Sequence, residues 1–412
     1  SILGRCCLDI KTASLAVIGA VKGNIPFFSY LSLIFYGKLE TGCEFFPIIG
    51  ALFHCLNLYR CSPIFQHCLT PPSLMALYLT NFHESINFIQ FNIGTGNAIA
   101  ILAALADPAL IFDLGGKFDK SFNEAAYAGA ERWKAETGGT YKELEMQSEA
   151  QREQALRRLA ETGANPIVMT GFAFKEVLSK IAGDYPDTKF VIIDMVVEQP
   201  NVQSVIFSEP QGSYLAGIMA AKASKTGTVG FIGGMDVPLI HKFECGYAQG
   251  VKATNPDAKV LINYTGTTPA AWNDPVKGGE LVKAQVSQGA DVIYAAAGGT
   301  GIGVLQAAAD AGILSIGVDS NQNHLHPGKV LTSMVKGVDN SVYDAFKAGA
   351  DVAPGIKVMD LASGGVSVAM DDNNKPLVTP DMQAAVDAAT KGIIDGTIKV
   401  HDYMTDNTCP VQ

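Results

Sequence analysis

Cysteine is scarce where the sequence is most regular. Of eight cysteines in 412 residues, only Cys245 and Cys409 lie beyond residue 106. No CxxC pair and no Cys/His spacing of a zinc site occurs, so no metal site is expected. There is no excess of basic side chains either. Lys and Arg number 30 against 40 Asp and Glu, a formal charge of −10. A net acidic field does not draw a chain to nucleic acid or to an anionic membrane surface. His241, His324 and His326 have no sequence neighbour that makes a catalytic partner and read as lone surface histidines. No nucleophile, no cofactor and no enzymatic constellation is therefore expected.

What is present falls into two unlike parts. Residues 1–106 carry nine charged side chains, net +1, so the remainder has 25 basic and 36 acidic residues. The first part also holds Cys6, Cys7, Cys43, Cys55, Cys61 and Cys68, and two apolar stretches, Ser14–Tyr36 and Phe45–Tyr59. The first stretch is long enough to span a bilayer but is broken by Lys22, Gly23 and Pro26. The second falls short of the roughly 20 residues a span needs. Asn97–Ala106 (NAIAILAALA) looks like the apolar core and small-residue cleavage site of a secretory signal, though no basic run precedes it; a buried helix is the alternative. On the signal reading, residues 1–106 are an apolar extension outside the mature fold. Cleavage there leaves Asp107 first, with no lipid-carrying cysteine, which predicts a soluble exported protein of the periplasm.

From Ala109 onward, short β-branched runs alternate with helical patterns. Strands are predicted at Ala109–Leu114, Pro166–Thr170, Lys189–Asp194, Ser204–Phe207, Thr228–Ile232, Lys259–Tyr264, Asp291–Ala296, Ser315–Asp319 and Val330–Val335. Continuous apolar runs of this length suit strands buried on both faces. Helices are predicted at Asn123–Thr137, Glu149–Thr162, Lys175–Ala182, Gln211–Ala223, His241–Thr254, Pro275–Ser287, Ile302–Ala311, Asp339–Ala348 and Pro380–Ile394. Gly163, Gly312 and Gly349 follow three of them as left-handed caps. Strict alternation predicts parallel α/β sheets. Nine strands over some 300 residues exceed the usual single sheet of about five or six, so two lobes are expected.

In such folds ligands sit beyond the C-terminal strand ends. The first strand runs into Asp113-Leu-Gly-Gly-Lys-Phe-Asp-Lys-Ser-Phe-Asn123. Other strand ends carry Asp194, Trp272-Asn-Asp274, Gly298-Gly299, Asp319 and Lys336. Aromatic rings with carboxylates and amides suit a neutral ligand having a flat ring and several donors. Each residue also has a plainer reading. Asp194 and Asp319 could be helix N-caps, Phe122 and Trp272 core residues, and Lys336 a solvated charge.

Taken in order, these segments resemble the basic membrane protein family, substrate-binding proteins of ABC transporters similar to purine nucleoside receptor A. The matching pieces are Asp113-x-Gly-x-x-x-Asp-x-Ser-Phe-Asn123, Gly171-Phe172, Phe190-Val-Ile-Ile-Asp194, Gly230-Phe-Ile-Gly-Gly234, Trp272-Asn-Asp-Pro275, Ala297-Gly-Gly-Thr-Gly301, Gly317-Val-Asp319 and Thr332-Ser-Met-Val-Lys336. The resemblance implies a type I periplasmic-binding fold, two flavodoxin-like lobes with parallel sheets joined by three hinge strands. Lobe one would hold residues 107–206 and 336–355, lobe two 207–335 and 356–412, with crossings near Phe207, Val335 and Gly355. It implies that Phe122 and Trp272 sandwich a purine base and that Asn123 and Asp194 bond its edge. Asp319 and Lys336 would hold ribose hydroxyls, Gly298 and Gly299 would let backbone approach, and Asp113 and Ser121 would line the site. Trp272 stands where the family often has Phe. The implied partners are a purine nucleoside or base and an inner-membrane ABC permease, with the receptor a monomer. Cys245 and Cys409 would pair in the periplasm or remain two thiols.

Three rival readings have sequence features of their own. Gly299-x-Gly301-x-Gly303 with Asp319 approximates a dinucleotide fingerprint, but its last glycine falls one position early. A sugar receptor of the same fold would also use aromatic walls. The apolar N-terminal part could instead belong to a membrane protein.

Overall fold

The computed structural model describes residues 14–17, 33–36 and 106–411. The chain divides into two units, residues 1–95 and 96–412. In the first, β1 (Ser14–Val17) and β2 (Leu33–Tyr36) pair antiparallel, Ser14 opposite Tyr36. The rest of the first apolar stretch, all of the second, the six early cysteines and the signal-like run up to residue 105 lie outside the described residues.

The second unit contains two six-stranded sheets. The first has the order β13-β7-β6-β5-β3-β4, all parallel, from β3 (Ala109–Phe112), β4 (Lys142–Glu145), β5 (Ile167–Thr170), β6 (Phe190–Ile193), β7 (Val202–Phe207) and β13 (Gly355–Met359). The second has the order β14-β12-β11-β10-β8-β9, from β8 (Thr228–Met235), β9 (Lys259–Gly266), β10 (Val292–Ala296), β11 (Leu314–Asp319), β12 (Val330–Lys336) and β14 (Val366–Val368). Only β14 runs antiparallel there. The inner strands β3, β5, β6 and β10 are buried at every residue, as two-sided cover by helices requires. This is the two-lobed α/β architecture expected from the alternation.

The helices are α1 (Phe122–Thr137), α2 (Arg152–Glu161), α3 (Lys175–Ile181), α4 (Glu209–Ala223), α5 (Pro238–Thr254), α6 (Pro275–Ser287), α7 (Thr300–Asp310), α8 (Val338–Ala348) and α9 (Pro380–Ile394). Gly138 ends α1 in the left-handed region at φ 70°, donating its N–H to the Lys134 carbonyl. In the second lobe α4 and α5 cross closely. A Cβ at Gly217 would lie 2.2 Å from the Tyr247 carbonyl oxygen, and one at Gly250 2.0 Å from that of Tyr214. Any larger residue there would part the two helices.

The chain passes between lobes three times. It leaves β7 at Ser208 to enter α4, returns after Lys336 to build α8 against α1, and leaves β13 after Met359 to reach β14. β13 pairs with β7 through Met359, four residues past the crossing expected near Gly355. The three connections lie side by side. The Ser208 N–H bonds the Met359 carbonyl at 2.9 Å and the Gly337 N–H that of Gly365 at 2.8 Å.

A tail follows α9 and fastens onto α5. Cys409 and Cys245 form a disulfide with Cα atoms 5.6 Å apart. His401 exchanges hydrogen bonds with the Gln249 side chain at 2.8 and 2.9 Å, and Tyr403 stacks on His241 with centroids 4.7 Å apart.

Candidate ligand-binding site

The C-terminal strand ends of both sheets face one cleft. Its walls include Asp113, Asp119, Phe122, Asn123 and Asp194 from the first lobe, and Trp272, Gly298, Asp319 and Lys336 from the second.

Asp194 and Asp319 close β6 and β11, and both have positive φ, 73° and 62°. L-residues pay about 1–2 kcal/mol for that region, so both turns are held by their surroundings. Neither aspartate caps an α-helix. The turn after Asp194 leads to β7, and the 3₁₀ turn after Asp319 is preceded by Gln322. Their carboxylates instead meet charges and donors across the cleft.

Lys336, at the end of β12, is the centre of a buried ion chain. Its Nζ lies 2.6 Å from Asp194 Oδ2 and 3.1 Å from Glu209 Oε1, with side-chain exposures of 1%, 6% and 1% respectively. Lys242 on α5 takes the other Glu209 oxygen at 2.5 Å and donates to the Phe207 carbonyl at 2.8 Å. Asp402 of the tail stands 3.7 Å beyond. Rings surround the ammonium, with Phe207, Phe122 and Phe243 centroids at 4.9, 5.1 and 5.4 Å. Burial opposes the charge on Lys336, but Asp194, Glu209 and Asp319 outweigh it and raise its pKa. Burial pushes Asp194 up to about 6 against the pull of Lys336. Burial disfavours charge on Glu209 as well, yet Lys242 and Lys336 hold its carboxyl below the usual range. The Asp194 Oδ1 atom is buried with no hydrogen-bond partner.

A second group of bonds joins the two lobes directly. Ser121 Oγ donates to Asp319 Oδ2 at 2.5 Å, Ser320 Oγ to the Ser121 carbonyl at 2.8 Å, and Gln322 Nε2 to the Lys120 carbonyl at 2.9 Å. Beneath them Asp119 accepts from the backbone N–H groups of Ser121, Asn123 and Glu124 at 2.8, 3.0 and 3.1 Å, capping α1. Burial still pushes Asp119 up to about 7, and burial likewise raises Asp319.

Ser121 and Gly299 stand behind the walls rather than in them. The Ser121 hydroxyl serves the interlobe bond, and Gly299 precedes α7 with its ideal Cβ position 3.1 Å from the Trp272 carbonyl oxygen. Asn123 reaches the cleft, but both its N–H groups are committed to the carbonyls of Asp113 and Gly116, and its oxygen accepts from Thr170. It braces the opening loop against β5. Phe122 and Trp272 both pack against the core and line the cleft, so the two readings of them coexist. Lys336 is buried rather than solvated.

Several wall and support residues were not visible in the sequence. Arg152 of α2 binds Asp113 Oδ1 at 2.8 Å from a buried position. Burial raises the Asp113 pKa against that pull. Leu239, Ile240 and Phe243 of α5 complete the second-lobe wall. Their helical spacing marks only a buried face, which any core helix has. Asp119 was legible only as a second carboxylate of the opening loop. His241 is not a lone surface residue. It bonds Glu244 at 2.8 Å and Asp236 at 2.9 Å, beside Tyr264, outside the cleft walls.

Among the described residues no cluster of His, Cys, Asp and Glu is arranged to hold a metal ion, and no helix is long and apolar enough to cross a membrane. Residues 108–403 match the model of a family described as ABC transporter substrate-binding protein, PnrA-like. The ABC transporter nucleoside-binding protein BmpA of Lactococcus lactis is 35% identical over 320 residues, covering 71% of this chain and 88% of that protein. An uncharacterised lipoprotein of Pyrococcus abyssi is 33% identical over 312 residues, covering 71% and 75%. The crystal structure of an ABC transporter solute-binding protein from Aeropyrum pernix superposes with a TM-score of 0.67 at 28% identity, covering 72% of this chain and 93% of that one. With this fold, this cleft and these matches, the chain belongs to the Bmp family of extracytoplasmic, PnrA-like ABC transporter substrate-binding proteins.

Proposed function

We propose that the cleft captures a purine nucleoside or purine base by closure of the two lobes, and that the closed clamp delivers it unchanged to a membrane permease. The observation that carries this reading is Asp194 Oδ1, a buried carboxylate oxygen with no partner in a cleft walled by Phe122 and Trp272. A buried carboxylate oxygen left unmatched is costly, and a ring N–H or amino group supplies the missing donor. Phe122 and Trp272 then flank the flat ring. Lys336 has three donors; one bonds Asp194 and a second faces Glu209 as an ion-pair partner at 3.1 Å. The third suits a ribose hydroxyl, alongside the Asp319 oxygen that Ser121 leaves free. Ser121 and Gly299 act from behind the walls and Asn123 from within them, positioning the loops.

Charge supports a neutral ligand. Among the described residues, Asp113, Asp119, Asp194 and Asp319 line the cleft with Lys336 as its one lining cation. The nucleoside-binding name of the Lactococcus relative supports the same class. Closure needs contacts from both lobes, and the ligand donors and acceptors are divided between them. Nothing in this cycle requires turnover, so the protein acts as a receptor rather than an enzyme.

Calorimetric titration of the full chain, unfolded and refolded to strip carried ligand, tests the proposal with adenosine, guanosine, adenine, ribose and NAD. Micromolar or tighter binding of a purine compound, with none for ribose or NAD, is expected. Binding of ribose alone would overturn the purine assignment, and binding of NAD alone would revive the dinucleotide reading.

A further inference from the structure

We propose that Gly234 holds the ring slot open by setting how far Trp272 stands back from it. The inference deepens the purine reading and rests on it for the choice of ligand. Gly234 is buried near the end of β8. It is not among the glycines with positive φ, so its backbone conformation does not demand glycine. Space does. A Cβ at Gly234 would fall 2.1 Å from Cζ3, 2.4 Å from Cε3 and 2.9 Å from Cη2 of Trp272. These three nearest atoms all belong to the six-membered ring of one indole.

The indole stands between Gly234 and the cleft. Trp272 closes the turn Pro269–Trp272, and Gly298 and Gly115 stand beside its root. A Cβ at Gly298 would lie 3.5 Å from the Trp272 carbonyl oxygen, and one at Gly115 3.5 Å from Trp272 Cβ. The side chain already lines the cleft. One methyl group at position 234 therefore drives the ring into the space that a ligand ring would fill. A phenylalanine at position 272 lacks the fused ring atoms that meet the methyl, so it relieves the conflict.

The test uses Gly234→Ala, Trp272→Phe and the double variant, titrated with adenosine and adenine. Overpacking of this kind weakens binding by about tenfold to a hundredfold. The loss for Gly234→Ala is equal for both ligands, because they share the ring. The double variant recovers to within about threefold of Trp272→Phe alone, the size of ordinary non-additivity. Unchanged binding by Gly234→Ala, or a double variant as weak as Gly234→Ala, overturns the proposal. Fluorescence separates this from failure of the purine reading. The chain has two tryptophans, and Trp272→Phe isolates the emission of Trp133. If the wild type binds no purine, a changed Trp272 emission in Gly234→Ala still supports the displaced ring, and an unchanged one refutes it. If Gly234→Ala fails to fold, cooperative folding of the double variant supports the clash with Trp272, and its failure sinks it.

Discussion

Replacing Lys336 by methionine separates charge from packing at the heart of the clamp. Methionine keeps much of the apolar stem beside Phe122, Phe207 and Phe243, whose centroids lie 4.9–5.4 Å from Nζ. What it removes is the ammonium between Asp194 and Glu209. Stripping one partner from a buried pair costs about 3–5 kcal/mol, because the remaining charge is left unpaired. For a fold of roughly 300 residues with about 2.1 cal/mol/K of unfolding entropy per residue, that is about 5–8 °C in Tm. The deficit depends on pH. Without Lys336 the Asp194 carboxyl, already at about 6 with it, rises further. A carboxyl raised above its unfolded pKa binds its proton more tightly in the folded state. Its favourable contribution is full below about pH 4 and is lost as pH rises through the folded pKa. The Lys336→Met deficit is therefore largest at pH 8 and shrinks towards pH 5. Scanning calorimetry across that range measures it, and adding Asp194→Asn recovers part of the loss at pH 8 while nucleoside binding stays impaired. A deficit of equal size at pH 5 and pH 8, or none at all, would refute the ion-chain argument.

Three more outcomes follow from the same geometry. Ser320→Ala removes an interlobe bond of 2.8 Å; at about 1 kcal/mol for a net hydrogen bond, every ligand weakens by one common factor of about fivefold, and a ligand-dependent factor in titration would show that Ser320 touches ligand. In the wild type Asp119 and Asp194 sit at about 7 and about 6 in the folded chain, so thermal stability rises as pH falls from 8 to 5.5, and Asp119→Asn flattens the slope; a fall over that window contradicts the assignment. The disulfide closes a separation of 164 residues, for which chain entropy gives about 5 kcal/mol at 25 °C; Cys245→Ser with Cys409→Ser should lower the urea midpoint accordingly, and an unchanged midpoint would mean the tail stays docked without it.

Much of the fold was legible because buried parallel strands announce themselves as uninterrupted apolar runs, and all nine predicted strands are present. The three that were missed in this unit have a common cause. β4 reads Lys-Glu-Leu-Glu, lies at a sheet edge on β3 alone and alternates half-buried with exposed residues. β13 and β14 are the opposite edges, and β13 exposes Ile356 and Val358. Edge strands need fewer apolar residues, so their pattern fades. The cleft was legible where its residues end strands, as with Asp113, Asp194, Asp319 and Lys336. It was not legible where helices supply the wall, as with Phe243, or where a partner is set by distant folding, as Arg152 is for Asp113. The left-handed backbone of Asp194 and Asp319 has no sequence mark, since aspartate serves equally well before a helix.

The two sheets share a strand order, β7-β6-β5-β3-β4 against β12-β11-β10-β8-β9. Asp194 and Asp319 follow or end corresponding strands, β6 and β11, with the same left-handed turn. The clamp is thus a doubled half, and a doubled half alone cannot tell one end of a cargo from the other. The distinction enters one strand later. There β7 ends in Phe207, whereas β12 ends in Lys336. At corresponding strand ends one lobe thus offers a ring and the other an ammonium, which on the proposed reading would give the cargo a preferred way round.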